Sequence, residues 1–184
     1  MRSLQRFNPW PIFIYHTRAN RRDGDEKATG IEIFTLYGAP TVVAVVILAF
    51  QVRLGGVPQL LAATSLLVGA MISVFVFLAN LRVKVHEVAA LKVRRNLRKL
   101  IASSAVGALY VSTVSMMLAL ALALLASIPS LSGDGLMATL ASALTSWLLV
   151  HLVVTLASVL RRLFGIYVAL FGEDFTAELG GDTQ

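Results

Sequence analysis

Five polar or amphipathic side chains lie at helical spacing in the last hydrophobic stretch of the chain, residues 137–170. They are Trp147, His151, Thr155, Ser158 and Arg162. At 100° per residue these positions fall within roughly 80° of one another, so a helix here carries a single polar stripe. Because lipid offers no hydrogen-bond partners, the stripe must face other helices or a water-filled cavity.

His151 is the member of the stripe with the widest range of possible chemistry. Imidazole side chains in water titrate between about pH 5 and 8, so His151 could carry protons or respond to pH. A neutral histidine that is hydrogen-bonded to Thr155, or to a serine of the third span, would explain the residue equally well. The other histidines, His16 and His86, are expected near the membrane surface, so the sequence predicts no metal cluster.

Enzymatic motifs are absent from the sequence. It contains no cysteine, no glycine-rich phosphate loop and no HExxH or GxSxG motif. A serine hydrolase that used Ser146 or Ser158 with His151 would lack an orienting acid and an oxyanion site. We therefore predict a protein that is not an enzyme and needs no cofactor.

The composition is that of an integral membrane protein. Of the 184 residues, 57% are hydrophobic and only 14% are charged, against about one quarter charged in soluble domains. A bilayer core needs about 20 helical residues, and four blocks reach that length. The four predicted spans are 31–52, 57–79, 104–128 and 137–160.

The basic residues predict the orientation of these spans. Six precede the first span, seven lie in the loop 80–103 and two follow the fourth span, whereas Arg53 is alone in the first short loop. By the positive-inside rule, both termini and the loop 80–103 are cytoplasmic, in an inner (plasma) membrane. Topology thus accounts for the net charge of +6, and no direct nucleic-acid partner is predicted.

Turn residues predict two antiparallel hairpins, an all-α fold of four transmembrane helices. Gly55-Gly56 connects the first two spans, and the Pro129 to Gly135 region connects the last two. Pro40 removes a backbone donor in the first span and predicts a kink. Small residues predict close helix packing in spans two and three, and span three should be the most enclosed. The packing residues are Ser65, Gly69, Ser73, Gly107, Ser112 and Ser115.

The segment from 70 to 106 contains neither glycine nor proline, so helix can continue through the loop 80–103. Its charges predict a basic amphipathic hairpin or interfacial helix that contacts anionic lipid or a cytoplasmic protein. The contact residues are Arg82, Lys84, Lys92, Arg94, Arg95, Arg98 and Lys99.

The two ends of the chain lie outside the predicted transmembrane domain of residues 31–172. Residues 1–30 combine an aromatic, proline-broken segment, expected to lie on the cytoplasmic leaflet, with a charged linker. Leu163 to Phe171 is expected to continue along the same interface. Residues 173–184 are predicted to be a polar tail.

The order of spans and several short motifs resemble a family of small four-span bacterial membrane proteins. These motifs are the stretch 60–69, Asn80 at the end of span two, Asn96 before span three, and His151-Leu-Val-Val-Thr-Leu-Ala-Ser-Val-Leu-Arg-Arg162. The chain has Arg161-Arg162 where the family pattern suggests Lys-Arg. Some such proteins resemble membrane subunits of anti-phage defence loci, of which the Kiwa type is one. The resemblance implies no catalytic residue.

Two functional hypotheses follow from these features. The first is a homo-oligomeric membrane scaffold or sensor that recruits or regulates a cytoplasmic partner, with anti-phage defence as its setting. The second is an oligomeric ion or proton channel lined by the polar stripe of the fourth span.

Overall fold

The computed structural model describes residues 12, 34–87, 95–128, 131 and 135–179. A π-helical turn, Phe34–Gly38, leads into α1 (Ala39–Phe50). The remaining helices are α2 (Val57–Glu87), α3 (Arg95–Ser127) and α4 (Leu136–Leu179). The predicted all-α fold is confirmed, and three helices are long and apolar enough to cross a membrane. The remaining apolar helix, Phe34–Phe50, which comes first in the chain, is shorter.

The helices are arranged in the order α1, α4, α3, α2. Among the described residues α1 packs on α4, α4 on α3 and α3 on α2, while α1 does not contact α2. The structure therefore differs from the predicted first hairpin, in which spans one and two pack together. The physical reason is that the polar stripe of α4 needs hydrogen-bond partners, and α1 supplies them. The turn between α1 and α2 does form, with Gln51 and Gly56 both in left-handed conformations at φ 50° and 68°.

The contact between α2 and α3 follows a seven-residue repeat. The buried residues of α2 are Thr64, Met71, Leu78 and Val85, each seven positions after the last. This spacing is that of a left-handed pair of helices with a continuous apolar seam. At the end of the seam nearest residues 88–94, Leu78 and Val85 pack with Leu97, Ile101 and Ile166. All three long helices therefore meet at this level.

As the small residues of span three predict, α3 is the most enclosed helix. Half of its apolar window is buried, compared with 39% for α4 and 11% for α2. Gly107 allows α3 to approach α4, because a Cβ atom there would lie 2.8 Å from Cγ2 of Val159. Gly107 of α3 lies beside Val159 of α4, and Tyr110 lies beside His151. Residue numbers thus rise along α3 where they fall along α4. The two helices are therefore antiparallel.

The three long helices continue past the predicted span boundaries. Residues 80–87 belong to α2 and 95–103 to α3, and 163–179 continue α4 without a break. Helix thus runs through the segment 163–171, expected from the sequence to continue along the interface, and into the predicted polar tail, and it ends at Leu179, just before Gly180-Gly181. No proline interrupts α4 between Leu136 and Leu179.

This end of the bundle carries the basic side chains of the three long helices and is called the basic end. Its described cations are Arg82, Lys84, Arg98, Lys99, Arg161 and Arg162. Lys92 and Arg94, and the N-terminal residues 1–30 apart from Ile12, lie outside the described residues.

We predict that Gly107→Ala destabilises the fold, whereas Gly69→Ala does not. The new methyl group at 107 would overlap Val159, whereas nothing lies within 4 Å of the corresponding position at 69. Overpacking of this kind costs about 1–3 kcal/mol, whereas alanine is favoured over glycine in a helix by roughly 0.5–1 kcal/mol. Unfolding midpoints in one detergent provide the measurement. Val159→Ala should restore the Gly107→Ala protein, and equal midpoints for the two glycine variants would contradict the packing argument.

Candidate functional site

His151 is the centre of the polar interactions inside the bundle. Its side chain is 3% exposed, and each ring nitrogen has a partner on a different helical segment. Nε2 lies 2.9 Å from the hydroxyl of Tyr110 on α3, and Nδ1 lies 3.0 Å from the carbonyl oxygen of Leu36 in the π-helical turn. One imidazole thus connects three segments that are distant in sequence.

The Leu36 carbonyl is available because of Pro40. In a continuous α-helix, the N–H of residue 40 would donate to the carbonyl of residue 36. Proline has no N–H, and its ring disfavours regular helix at the preceding turn. Pro40 is fully buried and lies just after the π-helical turn. His151 therefore supplies a donor to the carbonyl that Pro40 leaves without its usual helical partner.

These contacts determine the tautomer of a neutral His151. A carbonyl oxygen can only accept, so Nδ1 carries the proton and donates to Leu36. Nε2 then presents its lone pair and accepts a hydrogen bond from the Tyr110 hydroxyl. In this arrangement both ring nitrogens are used in interactions within the chain.

Aromatic rings surround the imidazole. Trp147 stacks on it with ring centroids 5.1 Å apart and planes 9° from parallel, and Tyr37 stacks at 5.6 Å and 25°. Tyr110 meets it edge-on at 6.0 Å. The indole N–H of Trp147 donates to the Thr41 hydroxyl over 3.2 Å, and that hydroxyl donates to the Tyr37 carbonyl over 2.7 Å. We call His151, Trp147, Tyr110, Tyr37 and the Leu36 carbonyl the His151 cluster.

The other members of the predicted stripe have local roles. Thr155 is buried, and its hydroxyl donates to the backbone carbonyl of His151. Ser158 donates to the Val154 carbonyl over 3.2 Å. The prediction that His151 bonds to Thr155 or to a serine of span three is therefore wrong about the ring, whose side-chain partner is Tyr110. Arg162 is half-buried at the basic end.

The site has the chemistry of a structural connection between helices. Ser146 is 3% exposed, and its hydroxyl has no hydrogen-bond partner in the described part of the chain, so it is not activated by His151. In the same part of the chain, no group of three or more His, Asp or Glu residues is placed to hold a metal ion. His86 is exposed near the end of α2, and His16 lies outside the described residues.

An apolar groove lies beside the His151 cluster, between α1 and α4. It has a volume of about 440 Å³ and is bounded at one end by the Trp147 side chain. The lining residues are Ala44, Leu48, Leu140, Ala143, Leu144 and Trp147. With this lining, the groove suits hydrocarbon and offers an ion no ligands.

The predicted packing residues divide between the inside and the outside of the bundle. Gly107, Ser112 and Ser115 are buried in α3. Ser65, Gly69 and Ser73 lie on an exposed face of α2, where both serine hydroxyls donate to carbonyls of their own helix. No helix among the described residues covers that face.

The predicted contact residues of the basic segment are exposed where the structure describes their side chains, with one exception. Arg82, Lys84 and Lys99 are exposed, whereas Arg98 is half-buried, and its Nε atom has no hydrogen-bond partner among the described residues. Arg95 begins α3.

Sequence reasoning missed Tyr110, Tyr37 and the Leu36 carbonyl as members of the site. A tyrosine inside an otherwise apolar span is itself a signal, because its hydroxyl needs a partner. Pro40 is the signal for Leu36, because a proline in a helix leaves the carbonyl four residues earlier without its usual N–H donor. Neither signal reveals which helix provides the partner.

No family model, curated protein or solved structure matches this chain. The fold and the site therefore define the class of protein by themselves. It is an all-α protein with membrane-type apolar helices, joined internally by a buried histidine.

We predict that the cost of His151→Leu depends on residue 40. The substitution removes both ring hydrogen bonds from a buried site and should cost about 1–3 kcal/mol of unfolding free energy. In a Pro40→Ala background, the restored N–H of residue 40 can bond to Leu36, so the same substitution should cost less. Denaturant titrations of the four proteins of this double-mutant cycle provide the measurement.

His86→Leu is the matched control, because His86 is exposed. Its effect should stay within about 0.5 kcal/mol. An equal cost of His151→Leu in both backgrounds would contradict a stabilising bond between His151 and Leu36.

Proposed function

We propose that this protein is a non-enzymatic, four-span scaffold or sensor of a bacterial inner membrane that forms homo-oligomers. Its basic end recruits or regulates a cytoplasmic protein, and anti-phage defence is the setting that the sequence resemblance suggests. The observation that carries the proposal is the concentration of basic residues at one end of the bundle. Among the described residues, Arg53 is the only cation in the turn at the other end, and the acidic residues are Glu87 at the end of α2 and Glu173, Asp174 and Glu178 in the last turns of α4.

Besides the three long helices, the proposal counts α1 together with its π-helical turn as a membrane span, the first in chain order. The 17 residues Phe34–Phe50 cover about 25 Å as α-helix, slightly less than a hydrocarbon core of about 30 Å. Ile31, Glu32 and Ile33 precede this helix in the sequence, so a span extended to residue 31 carries Glu32 close to its cytoplasmic end. Four spans would place both termini on the side of the basic end, in agreement with the positive-inside rule.

The His151 cluster supports a scaffold more than a channel. Both ring nitrogens are bonded within the chain, the rings of Trp147 and Tyr37 stack on the imidazole, and Thr155 bonds to backbone. Such a stripe joins helices, and the described hydroxyls of Thr155 and Ser158 donate to backbone carbonyls, so the stripe does not form a hydrogen-bonded path from one side chain to the next along α4.

Charge reversal at the basic end tests recruitment. We expect Arg82→Glu, Lys84→Glu and Lys99→Glu together to abolish capture of the partner, because these exposed cations attract an acidic surface and their replacement repels it. The measurement is the native mass of the protein in lipid discs, with and without the product of the adjacent gene. Arg53→Glu is the control at the opposite end and should leave capture unchanged.

Capture that survives the triple reversal would contradict this use of the basic end. A defined oligomer that binds no partner protein would favour the channel over the scaffold. A monomer would contradict both functions.

Proton flux tests the channel directly. We expect vesicles that contain the wild-type protein to be no more permeable to protons than vesicles with His151→Leu/Thr155→Val, because the stripe is occupied by internal bonds. The measurement is the decay of an imposed pH gradient reported by an entrapped dye. A wild-type leak that disappears in the double variant would favour the channel over the scaffold.

A further inference from the structure

Arg98 places a positive charge at the margin of the contact between α2 and α3. Its side chain is half-buried, and its Nε atom is buried without a hydrogen-bond partner among the described residues. On the same helix, Leu97 and Ile101 are buried in a cluster with Leu78 and Val85 of α2. A buried guanidinium donor without an acceptor is costly. The position of Arg98 therefore favours an anionic acceptor that the described part of the chain does not supply.

The acidic positions of the three long helices lie away from Arg98. Arg98 precedes Gly107 by nine residues, which places the two on opposite sides of α3. Since Gly107 packs on Val159 of α4, the Arg98 position faces away from α4 and from the acidic residues in its last turns. The sequence of α3 contains no acidic residue. The acidic residue of α2, Glu87, is exposed two positions after the buried Val85, and thus on the far side of α2 from α3.

Arg82 of α2 lies on the same side of the helix pair as Arg98. Leu81 packs against the cluster that contains Ile166 of α4, so Leu81 marks the side of α2 nearest α4. Arg82 is 100° further around the helix, across the line of buried residues, and is exposed on the side away from α4. Packed helices are about 8–10 Å apart, which lets both guanidinium groups reach one anion.

Both arginines lie at the depth of lipid headgroups. Because residues 78 and 85 pack with 97 and 101, Arg82 and Arg98 are at the same level of the bundle. They lie beyond the predicted span ends at 79 and 104 by about 4.5 Å and about 9 Å along the helix axes. The interfacial region of a bilayer extends roughly 5–8 Å beyond each side of the hydrocarbon core. Guanidinium groups bind phosphate oxygens through paired hydrogen bonds, and basic pockets between membrane helices bind anionic headgroups.

We propose that Arg82 and Arg98 form a binding site for the phosphate group of an anionic phospholipid, in the groove between α2 and α3 on the side away from α4. A phosphate oxygen accepts a hydrogen bond from the buried Nε atom of Arg98, and exposed Arg82 completes the site from the neighbouring helix. The acyl chains then extend along the lipid-facing surface of the same two helices. This site goes beyond the recruitment of a cytoplasmic protein and does not depend on it.

Lipid binding by two matched double variants of the full chain tests this assignment. Arg82→Gln/Arg98→Gln removes the proposed site, whereas Lys84→Gln/Lys99→Gln removes the same charge from the same two helices, at positions 100° or more around each helix from the arginine. Native mass spectrometry in detergent measures the affinity of each protein for phosphatidylglycerol, phosphatidylcholine and inorganic phosphate, offered separately. We expect phosphatidylglycerol to bind the wild type and the lysine variant alike, and the arginine variant at least about tenfold more weakly.

Equal affinities of the two double variants for phosphatidylglycerol would overturn the proposal, because binding would then depend on net charge alone. Phosphatidylcholine that bound the wild type as tightly as phosphatidylglycerol would contradict a site for anionic lipid. Inorganic phosphate that bound the wild type and displaced phosphatidylglycerol would show that the pair takes a free anion instead of a lipid. Unchanged lipid affinity together with loss of partner capture in Arg98→Gln would assign this side chain to a protein and overturn the lipid site.

Thermal unfolding in lipid discs provides a second measurement. Phosphatidylglycerol should raise the unfolding midpoint of the wild type and the lysine variant relative to discs of phosphatidylcholine alone, because a ligand of the folded state stabilises it. The arginine variant should show no such increase. In phosphatidylcholine alone its midpoint should match or exceed that of the wild type, since the Nε atom of Arg98 has no described acceptor to lose. A lower midpoint there would show that the arginines are structural residues and overturn their role as lipid ligands.

Discussion

The arrangement of the helices depends on one requirement: a polar group inside an apolar bundle must find a partner within the protein. His151 has two ring nitrogens to satisfy, and Pro40 leaves the Leu36 carbonyl without its usual helical donor. The bond between Nδ1 and this carbonyl, 3.0 Å long, meets both needs. Among the described helices α1 packs on α4 alone, and this bond, together with that between Trp147 and Thr41, contributes the directional part of that contact.

The bundle thus combines two kinds of helix contact. The contact between α2 and α3 is an apolar seam with a seven-residue repeat, which stabilises by close packing along its length. The contact between α1 and α4 uses a few directional hydrogen bonds and stacked rings. Polar contacts of the second kind specify which helix is the neighbour, because an apolar helix has no means of satisfying the imidazole.

The His151 cluster and the basic end are separated along α4. His151 and Arg161 are separated by ten positions of α4, which corresponds to about 15 Å along the helix axis. An interaction at the basic end therefore does not touch the His151 cluster directly. Any coupling between them would have to pass through the rigid body of α4, or through α3, which packs near Val159 at Gly107.

The sequence alone determined the helical class, the long apolar elements, the stripe on α4, the most enclosed helix and the separation of basic residues, because these follow from hydropathy and from the 3.6-residue period. It also identified Pro40 as the position where a helical bond is lost. Only the tertiary structure decided that α1 packs on α4 and that Tyr110 and Leu36 are the partners of His151. The physical reason is that periodicity fixes which face of a helix is polar, whereas the identity of its neighbour depends on hydrogen bonds between residues about 40 and 115 positions apart.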